Sequence, residues 1–142
     1  MFFKGEILVN TCSGFAIICL NDKDELLMVS QEKPNMPKCW SVPSGAIEGY
    51  ERLEDCCVRE IWNQTGYQVE VVKKIHENST TTYNVDVHMT YFEVKILAGE
   101  KKVQTLDSYC WQPISKINHL TMLFEDERKV VLNYIKKRKQ FI

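Results

Sequence analysis

Apolar residues near the start of the chain fall into two short runs, Phe15-Ala16-Ile17-Ile18-Cys19-Leu20 and Leu26-Leu27-Met28-Val29, separated by the polar stretch Asn21-Asp22-Lys23-Asp24. Short apolar runs bounded by turn formers read as buried strands, so the pair predicts a β-hairpin whose returning strand covers Glu25 to Val29. Gln31 to Lys38, with Pro34 and Pro37, reads as a loop before a short strand around Trp40 to Val42. Over Glu51 to Gln64 the apolar period lengthens to that of a helix. Strands are predicted again over Gln68 to His76 and over Asn84 to Leu97. In the latter, Val85, Val87, Met89 and Tyr91 share one face before the phase moves to Phe92, Val94 and Ile96, a shift that predicts a bulge. After a turn at Gly99-Glu100-Lys101, Tyr109-Cys110-Trp111 is a last strand and Pro113 a break. Glu125 to Lys139 is a C-terminal helix that turns Val130, Val131, Tyr134 and Ile135 to the core. Mostly strands, with two helices to cover them, predict a mixed α/β layered fold.

Composition narrows the class without changing this outline. At 142 residues the chain fits one domain, 1–142, long enough to bury a core without staples. A formal net charge of −1 offers nucleic acid no general attraction, so none is expected as a partner. Met1 to Glu6 lacks the apolar run of a signal peptide, and polar residues interrupt every stretch that approaches the roughly 20 apolar residues of a membrane span. The expected location is cytoplasmic. Cys12, Cys19, Cys39, Cys56, Cys57 and Cys110 show no C-x-x-C spacing and sit mostly within apolar runs, which predicts reduced core thiols.

Chemistry first enters on the predicted helix over 51–64. Stepping about 100° per residue places Leu53, Cys56, Cys57 and Ile61 on one apolar arc, with Glu60 and Gln64 inside it and Asn63 at its edge. A carboxylate on a buried stripe requires a partner, because isolated burial of a charge costs several kcal/mol or more. Glu60 is therefore expected to meet a cation, either a metal or an arginine. Glu54 and Asp55 point elsewhere and read as a solvated face.

Gly45, Glu51, Arg59, Glu60, Ile61, Gly66 and Tyr67 fill seven of the nine specified positions of the pattern G-x5-E-x7-R-E-U-x-E-E-x-G-U, where U is bulky and apolar. The stretch resembles a Nudix box, and Trp40-Ser41-Val42-Pro43-Ser44-Gly45 before it is similar to the family's tryptophan and Pro-Gly-Gly approach. Nearly the whole chain follows the family's order of elements. The resemblance implies the Nudix fold, an α/β/α sandwich around a mixed β-sheet. It also implies hydrolysis of a diphosphate in a nucleoside diphosphate derivative with the help of Mg²⁺ or Mn²⁺. By the same resemblance Glu60 is the metal-binding acid and assisting base. The backbone carbonyl of Ser44 is a metal ligand, and Gly45, Glu51, Arg59 and Gly66 support the loop and helix. Frequent dimerisation in the family makes a homodimer an expectation.

Asn63 and Gln64 stand where the pattern has its pair of glutamates, so the principal metal positions carry two amides. Amide oxygens bind hard cations more weakly than carboxylates do, and the site is expected to be weakened. The alternative is a catalytically inactive Nudix-fold module that binds a nucleotide or a regulatory partner. A further acid is expected from Asp107, Glu100 or Glu93, with Asp107 ranked first because it lies four residues before Trp111. His76, His88 and His119 lack ligand spacing, and Lys136-Lys137-Arg138-Lys139 reads as cations complementing a helix C-terminus.

Overall fold

The structure, a computed structural model, describes residues 10–31, 34–35, 37–47, 49–82, 84–99 and 108–139. Among the described residues seven strands run β1 (Asn10–Ile18), β2 (Glu25–Gln31), β3 (Cys39–Ser41), β4 (Ser44–Ala46), β5 (Tyr67–Thr82), β6 (Val85–Gly99) and β7 (Ser108–Pro113). Helix α1 (Leu53–Thr65) lies between β4 and β5, and α2 (Glu125–Lys139) follows a 3₁₀ turn at Ile114–His119. The strands form a mixed four-stranded sheet in the order β4-β1-β6-β5 and a three-stranded sheet in the order β3-β2-β7.

Alternation along the strands divides the core into two layers. Phe15 and Ile17 of β1, Leu27 of β2, and Phe92 and Val94 of β6 pack with Cys56, Cys57 and Ile61 of α1. Ala16 and Ile18, Leu26 and Met28, and Tyr91 pack on the other side with Val131 and Ile135 of α2. This two-sided burial explains the unbroken apolar runs, since a strand covered on both faces has no solvent side to fill with polar residues. The fold is an α/β/α sandwich.

The predicted hairpin is corrected. Only its tip forms: Leu20 and Leu26 make an isolated antiparallel bridge, flanked by the Asn21 amide donating to the Glu25 carbonyl and the Leu27 amide to the Cys19 carbonyl, both at 3.0 Å, while the two strands belong to different sheets. Further back along β1, the Ile17 amide instead donates to Pro43 at 3.0 Å, and Gly14 to Ala16 pair with β4. β1 thus changes partner along one edge. The turn itself forms as expected, with the Asn21 side-chain oxygen accepting from the amides of Lys23 and Glu25 at 2.9 and 3.0 Å.

The expected bulge at Tyr91–Phe92 is not in β6. Its parallel ladder with β1 runs without interruption from Asn10–Val85 to Ile18–Glu93. The apparent phase change arises because the covering layer changes along β6 while its alternation continues. Opposite this region the extra residues belong to β5, with register shifts between Val71 and Lys73 and between Lys74 and His76. Another shift falls between Gln68 and Val69.

Cys19, Cys39, Cys56 and Cys57 are buried, Cys12 and Cys110 partly so, and all six are free thiols. Burial pushes the Cys19 and Cys57 thiols up to about 12, which keeps them protonated and unreactive at neutral pH. Among the described residues no helix is long and apolar enough to cross a membrane.

Candidate functional site

The predicted loop before the helix contains a short strand, since Ser44, Gly45 and Ala46 pair antiparallel with Ala16, Phe15 and Gly14. Gly45 is required by this close approach. A Cβ there would stand 2.8 and 2.9 Å from ring carbons of the buried Phe15 and 3.7 Å from Cγ of Glu60. Gly45→Ala is expected to destabilise the fold by about 1–3 kcal/mol, as overpacking of a filled core does. Equilibrium urea unfolding checks this.

Helix α1 ends where the pattern predicts. Gly66 takes the left-handed conformation at φ 82°, and its amide donates to the Trp62 carbonyl at 2.9 Å. Buried Thr65 donates its hydroxyl to the Ile61 carbonyl and accepts from the Tyr67 amide, fastening the helix end to the start of β5. Cys56, Cys57 and Ile61 are buried and Leu53 partly so, as the helical wheel requires.

Glu60 meets its cation in the neighbouring side chain. Arg59 donates Nη1 to Glu60 Oε1 at 2.8 Å and Nε to Glu51 Oε2 at 3.2 Å, with Nη2 also reaching Glu51. The Glu51 and Glu60 carboxylates together raise the guanidinium pKa further above its ordinary value, Glu51 contributing first. The Glu60 side chain remains 23% exposed, so the expectation of a deeply buried acid is corrected. The buried positions of α1 are Cys56, Cys57, Ile61 and Thr65, and the Glu60 carboxylate is taken up by Arg59 instead of the core.

Gln64 connects three elements. Its Nε2 donates to the backbone carbonyl of Ser44 at 3.2 Å, and its Oε1 accepts from the Tyr109 hydroxyl at 2.8 Å. The helix is thereby joined both to β4 and to β7. Asn63, one residue before, is exposed. Trp111 of β7 donates its indole N–H to the Tyr67 hydroxyl at 3.3 Å, closing the far end of the same segment.

Two residues of consequence were not among the sequence candidates. Tyr109 holds the Gln64 amide in place, and no local pattern reveals a bond spanning 45 positions. Glu127 of α2 is 6% exposed and accepts from the Val42 amide at 3.0 Å, anchoring the chain two residues before Ser44. Its position four residues before buried Val131 puts it on the core stripe of α2, which is a sequence signal for a buried acid.

Of the further acids, Glu93 sits on the α2 side of β6 and hydrogen-bonds Tyr134, away from Glu60. The alternation that sends Phe92 and Val94 toward α1 sends Glu93 the other way. Asp107 and Glu100 lie outside the described residues. Among the described residues no group of three or more histidine, cysteine, aspartate or glutamate side chains is arranged to hold a metal ion.

Among the described residues, the oxygen donors expected to hold a metal are the Glu60 carboxylate, the Ser44 carbonyl and the two amides, with the Glu51 carboxylate taken up by Arg59. An N–H donor faces the Ser44 carbonyl, and the Gln64 oxygen already accepts from Tyr109. A hard divalent cation prefers several oxygen ligands, carboxylates foremost. These described residues do not fit a tightly held resident ion.

The family model for the NUDIX domain matches residues 11–134. An uncharacterized Nudix hydrolase of Schizosaccharomyces pombe is 28% identical over 98 residues, covering 68% of this chain and 45% of that protein. The 8-oxo-dGDP phosphatase NUDT18 of Mus musculus is 29% identical over 70 residues, covering 49% of this chain and 22% of that protein. The match therefore spans less than half the length of either curated relative. The crystal structure of the MutT protein from Methanosarcina mazei superposes with a TM-score of 0.76 at 18% identity, covering 94% of this chain and 99% of that one. With the family match spanning both core layers and the whole segment from Ser44 to Tyr67, the chain belongs to the Nudix family.

Proposed function

We propose that this chain hydrolyses a diphosphate linkage in a nucleoside diphosphate derivative, as one domain over 1–142 acting in the cytoplasm. The observation that carries the reading is the preserved frame of the box, in which Glu51 and Glu60 flank Arg59 beside the tightly packed Gly45. That frame supports a substrate site at the junction of β4 and α1. A nucleotide substrate agrees with the name of the mouse relative, an 8-oxo-dGDP phosphatase.

The net reaction adds water across the phosphoanhydride: an oxygen attacks phosphorus, the bond to the bridging oxygen breaks, and the water proton passes to a base. Glu60 is the proposed base. Arg59 holds its Oε1, which fixes the carboxylate and leaves Oε2 to take the proton. Because the described donors do not suit a resident ion, Mg²⁺ or Mn²⁺ enters on this reading as part of the substrate, bound to its phosphates.

A panel of nucleoside diphosphate derivatives, including 8-oxo-dGDP, assayed for phosphate or nucleotide release across a range of Mg²⁺ concentrations tests this. Turnover that rises with Mg²⁺ and falls by about 100-fold or more in Glu60→Gln is expected, as for loss of a general base. Absence of turnover from the unaltered chain and from Asn63→Glu/Gln64→Glu alike would sink it. Tight nucleotide binding without turnover is the outcome that favours a binding module, a reading to which the Gln64 bridge lends weight.

A further inference from the structure

On the other side of the four-stranded sheet from α1, β5 and α2 line an open pocket of about 900 Å³. Its charge is unlike that of the chain as a whole. Lys73 and Lys74 of β5 face Lys129, Lys137 and Arg138 of α2 across it, and only Glu93 and Asp126 supply carboxylates. The full chain carries a net charge of −1. The positive charge is therefore concentrated, and the cavity wall is where it gathers.

The backbone of β5 makes this concentration possible. The register shifts between Val71 and Lys73 and between Lys74 and His76 bracket the lysine pair, and Lys73, Lys74, Ile75 and His76 all line the cavity in succession. A regular strand would send alternate members to opposite faces, whereas bulges re-aim side chains. Lys74 is paired with Glu77 at 3.2 Å, and Arg138 donates to the Tyr134 hydroxyl at 3.1 Å. Lys73, Lys129 and Lys137 are exposed and have no salt bridge among the described residues. Ile75 and Val130 give the same cavity an apolar surface, and Asn78 and Asn133 give it amides.

We propose that this cavity is a second site, separate from the Nudix box, that binds a nucleotide through its phosphates. Ammonium groups converging from two elements supply counter-charge to an oligophosphate, while the apolar surface and amides suit a base. The volume lies within the range of small-molecule sites, at about 300–1,000 Å³.

Calorimetric titration with ADP and with inorganic pyrophosphate, in EDTA and at low salt, tests the site without the metal-dependent chemistry of the box. ADP is expected to bind, about tenfold more tightly than pyrophosphate. Lys129→Gln/Lys137→Gln and Lys73→Gln/Lys74→Gln are each expected to weaken ADP by about tenfold or more, while Lys116→Gln on the 3₁₀ turn and Glu60→Gln leave binding unchanged. All these lysines are exposed, so the variants are expected to fold, and circular dichroism verifies it. No ADP binding at millimolar concentration overturns the proposal, as does binding indifferent to both lysine pairs or abolished by Glu60→Gln. Equal affinities for pyrophosphate and ADP overturn the assignment to a nucleotide.

Discussion

Asn63→Glu combined with Gln64→Glu is expected to raise Mg²⁺-dependent hydrolysis by about 100-fold or more and to make thermal stability depend on Mg²⁺. Unit charges 4 Å apart at an effective dielectric near 20 interact by about 4 kcal/mol, so a carboxylate gains up to about twice that beside a doubly charged ion. Desolvation offsets part of this gain. About 1.4 kcal/mol is tenfold, so even a few retained kcal/mol amount to decades of affinity.

Geometry adds a second consequence at position 64. There the amide N–H bridges to the Ser44 carbonyl, and a glutamate would bring two acceptors together where a donor now meets an acceptor. Without metal, the double variant is expected to lose about 1–3 kcal/mol from the broken bond and the crowded oxygens. Millimolar Mg²⁺ is expected to restore it by sitting between them. Thermal unfolding with and without Mg²⁺ reads both effects apart from activity. A double variant whose melting temperature ignores Mg²⁺ and whose turnover stays at the parent level would contradict this account of the amides.

The second large effect concerns Glu127 and pH. Burial pushes its carboxyl up to about 7 from the ordinary 4.5, against the smaller opposing pull of the Val42 amide. The folded state therefore holds a proton that the unfolded state has released between pH 4.5 and about 7. Stability from this group is fully present below 4.5 and declines as pH rises to about 7, after which it is flat. A shift of this size corresponds to about 3 kcal/mol. Glu127→Gln retains an acceptor for the Val42 amide and has no charge to bury. It is expected to be more stable than the parent at pH 8 by up to about 3 kcal/mol, with little difference at pH 4.5. Urea unfolding at the two pH values measures it, and a variant equally destabilised at both would show that the carboxylate serves the fold in its charged form.

The same residue joins stability to the site. Glu127 fixes Val42, which precedes Pro43 and the Ser44 carbonyl, so α2 helps to set the position of β4 from the opposite layer. Altered turnover in Glu127→Gln is accordingly an expected companion of its altered pH profile.

Much of this architecture is legible along the chain. Apolar runs at Phe15–Leu20 and Leu26–Val29 are local consequences of strands buried on both faces, and the helical period of α1 and α2 needs only one face against a sheet. The box is legible in part for the same reason, because Arg59, Glu60 and Gly66 act through contacts with near neighbours in sequence, whereas Gly45 is required by Phe15 of β1. Partner choice is different. β1 divides its edge between β4 and the start of β2, and β5 absorbs the extra residues that the pattern of β6 suggests, because hydrogen-bond partners are set by which strands meet.

The layered α/β class, both helices, and the amides Asn63 and Gln64 in place of two acids can be read along the chain, since each is written in the spacing of neighbouring residues. That Arg59 supplies the cation for Glu60, that Gln64 bridges Ser44 and Tyr109, and that Glu93 faces α2 emerge with the packed fold. Range separates the two. Helical and strand periods follow from backbone geometry a few residues at a time, whereas a hydrogen bond across 20 or 45 positions exists only once the sheets and helices have packed.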